Sequence, residues 1–305
     1  MSGRRLRVAT RASALARTQT ALVIDLLRPG WSGEIEPVLV ETSGDRRTDA
    51  EIWQLGGRGV FVKEVQAAVL DGRADLAVHS AKDLPSAAVE GLVIGAVPER
   101  GDPRDALIGG RLHDLPAGAR VGTGSVRRRA QLAWLRPDLT FGGLRGNMET
   151  RIAKASGFAA IVVAVSALER LGRLDEADEL LDPEVMLPQV AQGALAVECR
   201  DDDGEVLDLL ATIDHRPSHR AVAAERAFLG EVGGGCDLPV GAYATAEADG
   251  RVRLSGLIAS LDGRILLRRA DEGENGEAVG RAVARYLLDR SGGDFLIGDL
   301  TATAR

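Results

Sequence analysis

Cysteine and lysine are what this sequence has least of. Two cysteines, Cys199 and Cys236, and three lysines, Lys63, Lys82 and Lys154, are all that 305 residues contain. Two cysteines in so long a chain cannot build a disulfide framework, so the expected home is a reducing, cytoplasmic compartment. They also lack metal-ligand spacing, and His79, His113, His215 and His219 form no ligand cluster with them, so no metal is expected. No run of about 18 uncharged apolar residues occurs, which excludes an expected transmembrane helix. The basic start, Arg4, Arg5 and Arg7, leads into a segment carrying Arg11, Arg17 and Asp25, with no clean apolar core for secretion. A formal net charge of −7 argues against a general nucleic-acid binder. No internal repeat and no low-complexity tract stands out.

What is present is an ordinary soluble composition, 45% apolar and 27% charged, over a length that allows two or three domains. Lysine supplies three of the 38 basic residues, so 35 are arginine. That excess reads first as GC-rich codon usage, yet a guanidinium fork binds carboxylates in bidentate fashion wherever arginines cluster. Residues 6–9, 34–40, 75–78 and 92–96 have strand patterning, and 14–27 and 61–70 have helical spacing. The alternation predicts a largely parallel α/β sheet. A Pro-containing charged crossover at 98–105 opens a second unit. Its predicted strands lie near 120–121, 140–141 and 160–163, with helices at 126–135, 148–155 and 167–171. Segments 194–198 and 205–213 read as a further strand and helix. After 214–219 the pattern changes to helix 221–229, a Gly-rich turn, strands near 239–244, 252–259 and 264–267, and helix 278–288. The expected division is 1–98 with 194–213, then 99–193, then a small α+β domain over 214–305. Residues 43–59 form the longest polar, Gly-rich stretch, a candidate lid.

Three constellations carry chemistry. His79-Ser80-Ala81-Lys82-Asp83-Leu84-Pro85 follows a strand, and ligands of open α/β sheets gather at strand carboxyl ends. A carboxylate there can hydrogen-bond a substrate N–H and move protons; a solvated Lys-Asp pair in a turn explains the same residues. Val121-Gly122-Thr123-Gly124-Ser125-Val126-Arg127-Arg128 is a strand, a glycine turn and a capped helix start, able to receive an anion. Arg127 and Arg128 oppose the helix dipole in the first turn, a local conflict of the kind that marks function. It is neither a dinucleotide fingerprint nor a Walker loop, and an ordinary capped helix with an exposed arginine face explains the same residues equally well. Arg11 with Ser13, and Arg145 with Gly146 and Arg151, fall at equivalent strand-to-helix edges, while Arg170 closes another helix; several guanidinium groups at such edges imply a polycarboxylate or polyphosphate ligand. Gly233-Gly234-Gly235-Cys236 presents a thiol on a glycine turn, as nucleophile, tether or surface thiol, whereas Cys199 lies in an apolar strand and reads as core.

In this order the segments resemble the porphobilinogen deaminase (hydroxymethylbilane synthase) family. The likeness rests on Ala9-Thr10-Arg11-Ala12-Ser13, Gly59-Val60-Phe61-Val62-Lys63-Glu64, the 77–85 segment, Gly101-Asp102-Pro103-Arg104-Asp105-Ala106, the 122–128 segment, Leu144-Arg145-Gly146-Asn147, Gln192-Gly193-Ala194 and Gly234-Gly235-Cys236. It spans almost the whole chain and fades after about residue 245. The resemblance implies two type II periplasmic-binding-protein-like α/β domains around a cleft, plus a small α+β third domain. It implies condensation of four porphobilinogen molecules into hydroxymethylbilane with loss of ammonia, for tetrapyrrole synthesis. It implies a dipyrromethane cofactor held by a thioether at Cys236, with Asp83 as general acid/base and Lys82 beside it. Ser125, Arg127, Arg128, Arg145 and Gly146 would hold the cofactor, with Arg11, Ser13, Arg151 and Arg170 on the substrate side. Its partners would be porphobilinogen and the growing oligopyrrole, with no nucleic acid or membrane, and the chain a monomer. A bilobal binding protein for an anionic small molecule is the main competing class, and an enzyme using Cys236 as a turnover nucleophile is another.

Overall fold

The computed structural model describes residues 3–43, 62–234, 238–247 and 249–303; Cys236 and nearly all of the stretch 43–59 lie outside the described residues. In chain order the elements are β1 (Leu6–Arg11), α1 (Ala14–Leu27), β2 (Ile35–Val40), α2 (Lys63–Leu70), β3 (Leu76–Ser80) and β4 (Leu92–Ala96). There follow β5 (Asp105–Ile108), β6 (Arg120–Gly122), α3 (Val126–Leu135), β7 (Thr140–Gly142), α4 (Met148–Ala153), β8 (Ala160–Ala164), α5 (Val165–Arg170) and β9 (Glu179–Leu181). The last group is β10 (Leu195–Arg200), α6 (Gly204–Ala211), α7 (Arg216–Val232), β11 (Val240–Ala246), β12 (Val252–Ala259), β13 (Leu266–Gly273), α8 (Gly276–Arg285) and α9 (Gly293–Thr303).

One compact unit comprises Met1–Gly101 and Ala194–His219. Its sheet has the order β2-β1-β3-β10-β4, with β1 parallel to β2 and β3, and β10 antiparallel to both β3 and β4. The side-chain alternation of β1 explains why both faces are covered: successive residues of a strand point to opposite sides. Leu6 and Val8 join a core with Val23, Leu27, Leu76, Val197 and Leu210, so α1 and α6 cover that face. Ala9 and Ala77 join Val65, Ala68 and Val69 of α2 on the other. Cys199 belongs to the first core and is fully buried, and burial pushes its thiol up to about 11.

The other unit comprises Asp102–Gly193 and Arg220–Arg305 and contains two sheets. The five-stranded sheet has the order β7-β6-β8-β5-β9, with β6 parallel to β7 and β8, and β5 antiparallel to β8 and β9. The antiparallel sheet β11-β12-β13 packs through Leu257 and Ala259 against Ala130 of α3 and Leu187. Helix α8 lies close on α7 because position 280 is glycine: a Cβ there would stand 2.1 Å from the Ala224 carbonyl oxygen.

The largely parallel sheets expected from the alternation are present, each interrupted by one strand of opposite direction. In each five-stranded sheet four strands run the same way, and the fourth position in the order is taken by the one antiparallel strand, which receives the chain from the other unit, β10 in one and β5 in the other. Such a strand is not delivered by a right-handed βαβ crossover, so nothing requires it to run parallel. The order second, first, third, received strand, fourth is common to both five-stranded sheets.

Candidate active site

In the unit that contains β1 and β3, these strands are adjacent and parallel, which brings their carboxyl ends to one edge. Arg11 ends β1, and Ser13 caps α1 by accepting from the Ala16 N–H at 3.3 Å. Lys82 and Asp83 stand in a single 3-10 turn, Ala81–Asp83, directly after β3. All four of these residues, Arg11, Ser13, Lys82 and Asp83, are half-buried, so they face a boundary between core and solvent. The adjacency of β1 and β3 therefore places these four residues at one sheet edge.

The Lys82–Asp83 turn is braced from three directions. The Gln19 side chain of α1 donates to Ser80 Oγ at 2.9 Å and accepts from it at 3.1 Å. The Ala81 N–H donates to the Ala194 carbonyl at 3.0 Å. On the opposite face of β3, His79 Nε2 lies 3.1 Å from Glu198 Oε2, outside hydrogen-bond alignment, and Gln66 Nε2 donates to the same carboxylate oxygen at 2.9 Å. Each of Gln19, Gln66, His79 and Glu198 is buried. Sequence reasoning missed these supports, although a His and a Glu inside apolar strands were visible signals: buried polar groups require partners.

In the other unit, β7, β6 and β8 are neighbouring parallel strands and share an edge in the same way. Ser125 caps α3 by accepting from the Arg128 N–H at 3.4 Å. Arg145 and Gly146 precede the Asn147 cap of α4, whose side chain accepts from the Thr150 N–H at 2.9 Å. Gly146 has φ of +110°, which L side chains rarely adopt, and a Cβ there would stand 2.6 Å from Thr150 Cγ2. Arg151 Nε donates back to the Gly146 carbonyl at 2.8 Å. Arg170, at the end of α5, donates to the Gly193 carbonyl at 2.6 Å, and burial lowers its guanidinium to about 10. Its charge persists at any neutral pH.

Arg127 and Arg128 are almost fully buried, and the anion they meet is the Asp105 carboxylate. Arg127 Nη2 donates to Asp105 Oδ2 at 2.7 Å, and its Nη1 donates to the Leu187 carbonyl at 2.7 Å. Arg128 donates to Asp105 Oδ1 from Nη2 at 2.7 Å and Nε at 3.0 Å, and from Nη1 to the Val162 carbonyl at 2.9 Å. Gln192 Nε2 adds a donation to Oδ1 at 2.9 Å. Burial by itself raises the Asp105 carboxyl, but the flanking Arg127 and Arg128 charges outweigh it and hold the group well below the usual carboxylate range. For Arg127 burial wins over Asp105 and pushes the guanidinium down, from a starting value so high that it stays charged. Two guanidinium groups and one carboxylate leave the cluster with one net positive charge. The dipole conflict noted in the sequence is thus met inside the fold by β5, a strand that the sequence reading did not separate from the crossover.

This edge suits anionic ligands. Arg127 uses two of its five N–H donors, and its Nε is buried without a partner. Among the described residues, no group of three or more His, Cys, Asp or Glu is placed to hold a metal ion, and no helix is long and apolar enough to cross a membrane.

Comparison with known proteins gives the family of the chain. The family described as "Porphobilinogen deaminase, dipyromethane cofactor binding domain" matches residues 6–208, and "Porphobilinogen deaminase, C-terminal domain" matches residues 219–289. A porphobilinogen deaminase from Pelotomaculum thermopropionicum is 47% identical over 303 residues, and one from Bacillus pumilus is 45% identical over 302; each alignment covers 96% of both chains. The Bacillus subtilis protein of that name is 42% identical over 302 residues with the same coverage. Among solved structures, an arginine-specific periplasmic binding protein of Salmonella typhimurium matches 69% of this chain and 92% of its own, at 13% identity and a TM-score of 0.40.

Proposed function

We propose, on the premise that the chain belongs to the porphobilinogen deaminase family, that Asp83 is its general acid/base and Cys236 its point of cofactor attachment. The chain is a transferase that polymerises porphobilinogen to hydroxymethylbilane in tetrapyrrole synthesis, and it uses a dipyrromethane cofactor. When bound, that cofactor supplies the pyrrole terminus to which monomers are added. It carries acetate and propionate groups, and the residues present fit it: the buried cluster around Arg127 and Arg128 keeps one net positive charge and an unpartnered Nε–H.

Asp83, in the turn after β3, accepts a hydrogen bond from the pyrrole N–H of the substrate. There it stabilises positive charge that develops on the ring nitrogen and takes or returns protons. Lys82 supplies a cation beside it. Arg11 pairs with a substrate carboxylate, and Ser13, whose Oγ accepts from Ala16, has its O–H left to donate to the same group. Arg151 and Arg170, in the other unit, are cations for carboxylates of the later pyrrole units of a growing polyanion. Ser125, Arg127, Arg128, Arg145 and the Gly146 backbone hold the cofactor carboxylates. We further place the enzyme in the cytoplasm, on the low cysteine count, and take a monomer as the default state.

The observation that carries this reading is the braced Lys82–Asp83 turn beside Arg11 at one sheet edge. The test is Asp83→Asn, which removes the proton-transferring group while keeping its size. Porphobilinogen consumption should fall by about a hundredfold to ten-thousandfold, the usual contribution of such a group. Turnover within threefold of the parent would remove Asp83 from this role.

A further inference from the structure

The Asp105 carboxylate receives its donors unequally. Oδ1 takes three, two from Arg128 and one from Gln192, whereas Oδ2 takes one, from Arg127. Asp105 is itself fully buried on β5, held between β8 and β9 by the strand ladders, so its position is fixed by backbone. Arg127 has one further anchor, the Leu187 carbonyl. Arg128 has a firmer seat, with the Val162 carbonyl and two donations to Oδ1.

We propose that Asp105 is a positioning residue that acts through Arg127: its Oδ2 fixes the plane of the Arg127 guanidinium and so decides which N–H donors remain for a cofactor carboxylate. This rests on the reading of Arg127 as a cofactor ligand given above. The two anchors, Leu187 O and Asp105 Oδ2, hold the two terminal nitrogens of a planar fork, and two points with one plane leave the group no freedom to turn. The net charge of the cluster then matches a single carboxylate.

The asymmetry makes the consequence of Asp105→Asn specific. An amide has one acceptor oxygen and one donor nitrogen. The oxygen stays where three donors converge, at the Oδ1 position. The nitrogen takes the Oδ2 position and turns its N–H groups toward Arg127 Nη2, donor against donor. Arg127 is therefore released, while Arg128 and Gln192 keep their bonds.

The test is a double-mutant cycle on the full chain, reading kcat/KM for porphobilinogen and, by intact mass, the fraction of purified protein that carries the dipyrromethane. Asp105→Asn and Arg127→Met should each lower kcat/KM by at least about tenfold and lower the cofactor-bearing fraction. The double variant should be no worse than the weaker single by more than about twofold, because both changes remove the same contact. Asp105→Asn combined with Arg128→Met should instead multiply. A general loss of stability would give multiplication in both pairs, and that result overturns the proposal. Asp105→Asn leaves buried arginines short of charge; if it does not fold, Arg127→Lys decides. Lysine keeps the charge but lacks the planar fork, so its cofactor-bearing fraction should fall with that of Arg127→Met; parent-like occupancy overturns the proposal. If the parent itself shows no added mass and no turnover, it is the family reading that fails, independently of Asp105.

Discussion

Glu225 offers the sharpest stability prediction. Its carboxylate, fully buried on α7, accepts from the Ala191 N–H at 2.5 Å and from the Ala244 N–H at 2.7 Å. It therefore ties three places together: the helix leading toward Cys236, the turn before Gln192 and Gly193, and strand β11. Hydrogen bonds to charged acceptors contribute about 1.5–3 kcal/mol each, and an abandoned buried N–H costs about 1–3 kcal/mol. Ala191 is the one non-glycine described residue with positive φ, at 60°, a conformation costing about 1–2 kcal/mol. In Glu225→Gln the amide oxygen can keep one N–H, and releasing Ala191 recovers strain. The expected net loss is about 2 kcal/mol. Glu225→Ala loses both bonds and leaves a cavity, for roughly 4 kcal/mol. Urea unfolding followed by circular dichroism measures both. If Glu225→Ala costs less than about 1 kcal/mol, or no more than Glu225→Gln, the clamp does not hold the turn and the reasoning fails.

Other outcomes follow from the same geometry. Gly280→Ala should destabilise by about 3 kcal/mol or more, as its Cβ would meet the Ala224 carbonyl oxygen of α7 at 2.1 Å; unchanged thermal unfolding would contradict the close helix approach. Asp75 is buried, which raises its carboxyl, but hydrogen bonds from Arg7 outweigh this and lower it. Its contribution is fully present above the unfolded value near pH 4 and is lost as pH falls further. Asp75→Asn should then lower neutral stability and flatten the acid limb of a pH–stability curve. Cys199, buried with its thiol near 11, should resist alkylation at pH 8 until the protein is unfolded, and the tethered protein should then show one reactive thiol. Two would mean that Cys236 is free.

Much of this was legible because local signals and chain order agree. Ser13 and Ser125 read as helix caps and are caps. The edges after strands that bear Arg11, Asp83 and Arg145 follow from apolar runs ended by glycine or polar residues. The partners of Arg127 and Arg128 were not legible, because Asp105 opens a four-residue strand directly after a Pro-containing charged stretch, and only its register against Ala164 reveals a buried carboxylate. The antiparallel run of β10 was hidden for a related reason: period-two patterning gives a strand's faces but not its direction. Long-range braces such as Gln66 on Glu198 span 132 positions and leave no local trace.

The central claim is that this chain carries its primer covalently at Cys236, and intact mass spectrometry of the purified protein tests it most directly. The account predicts an excess over the sequence mass equal to two linked pyrrole units, present in the parent and in Cys199→Ala and absent in Cys236→Ala. A parent protein at its bare sequence mass, or an excess that survives Cys236→Ala, would contradict it.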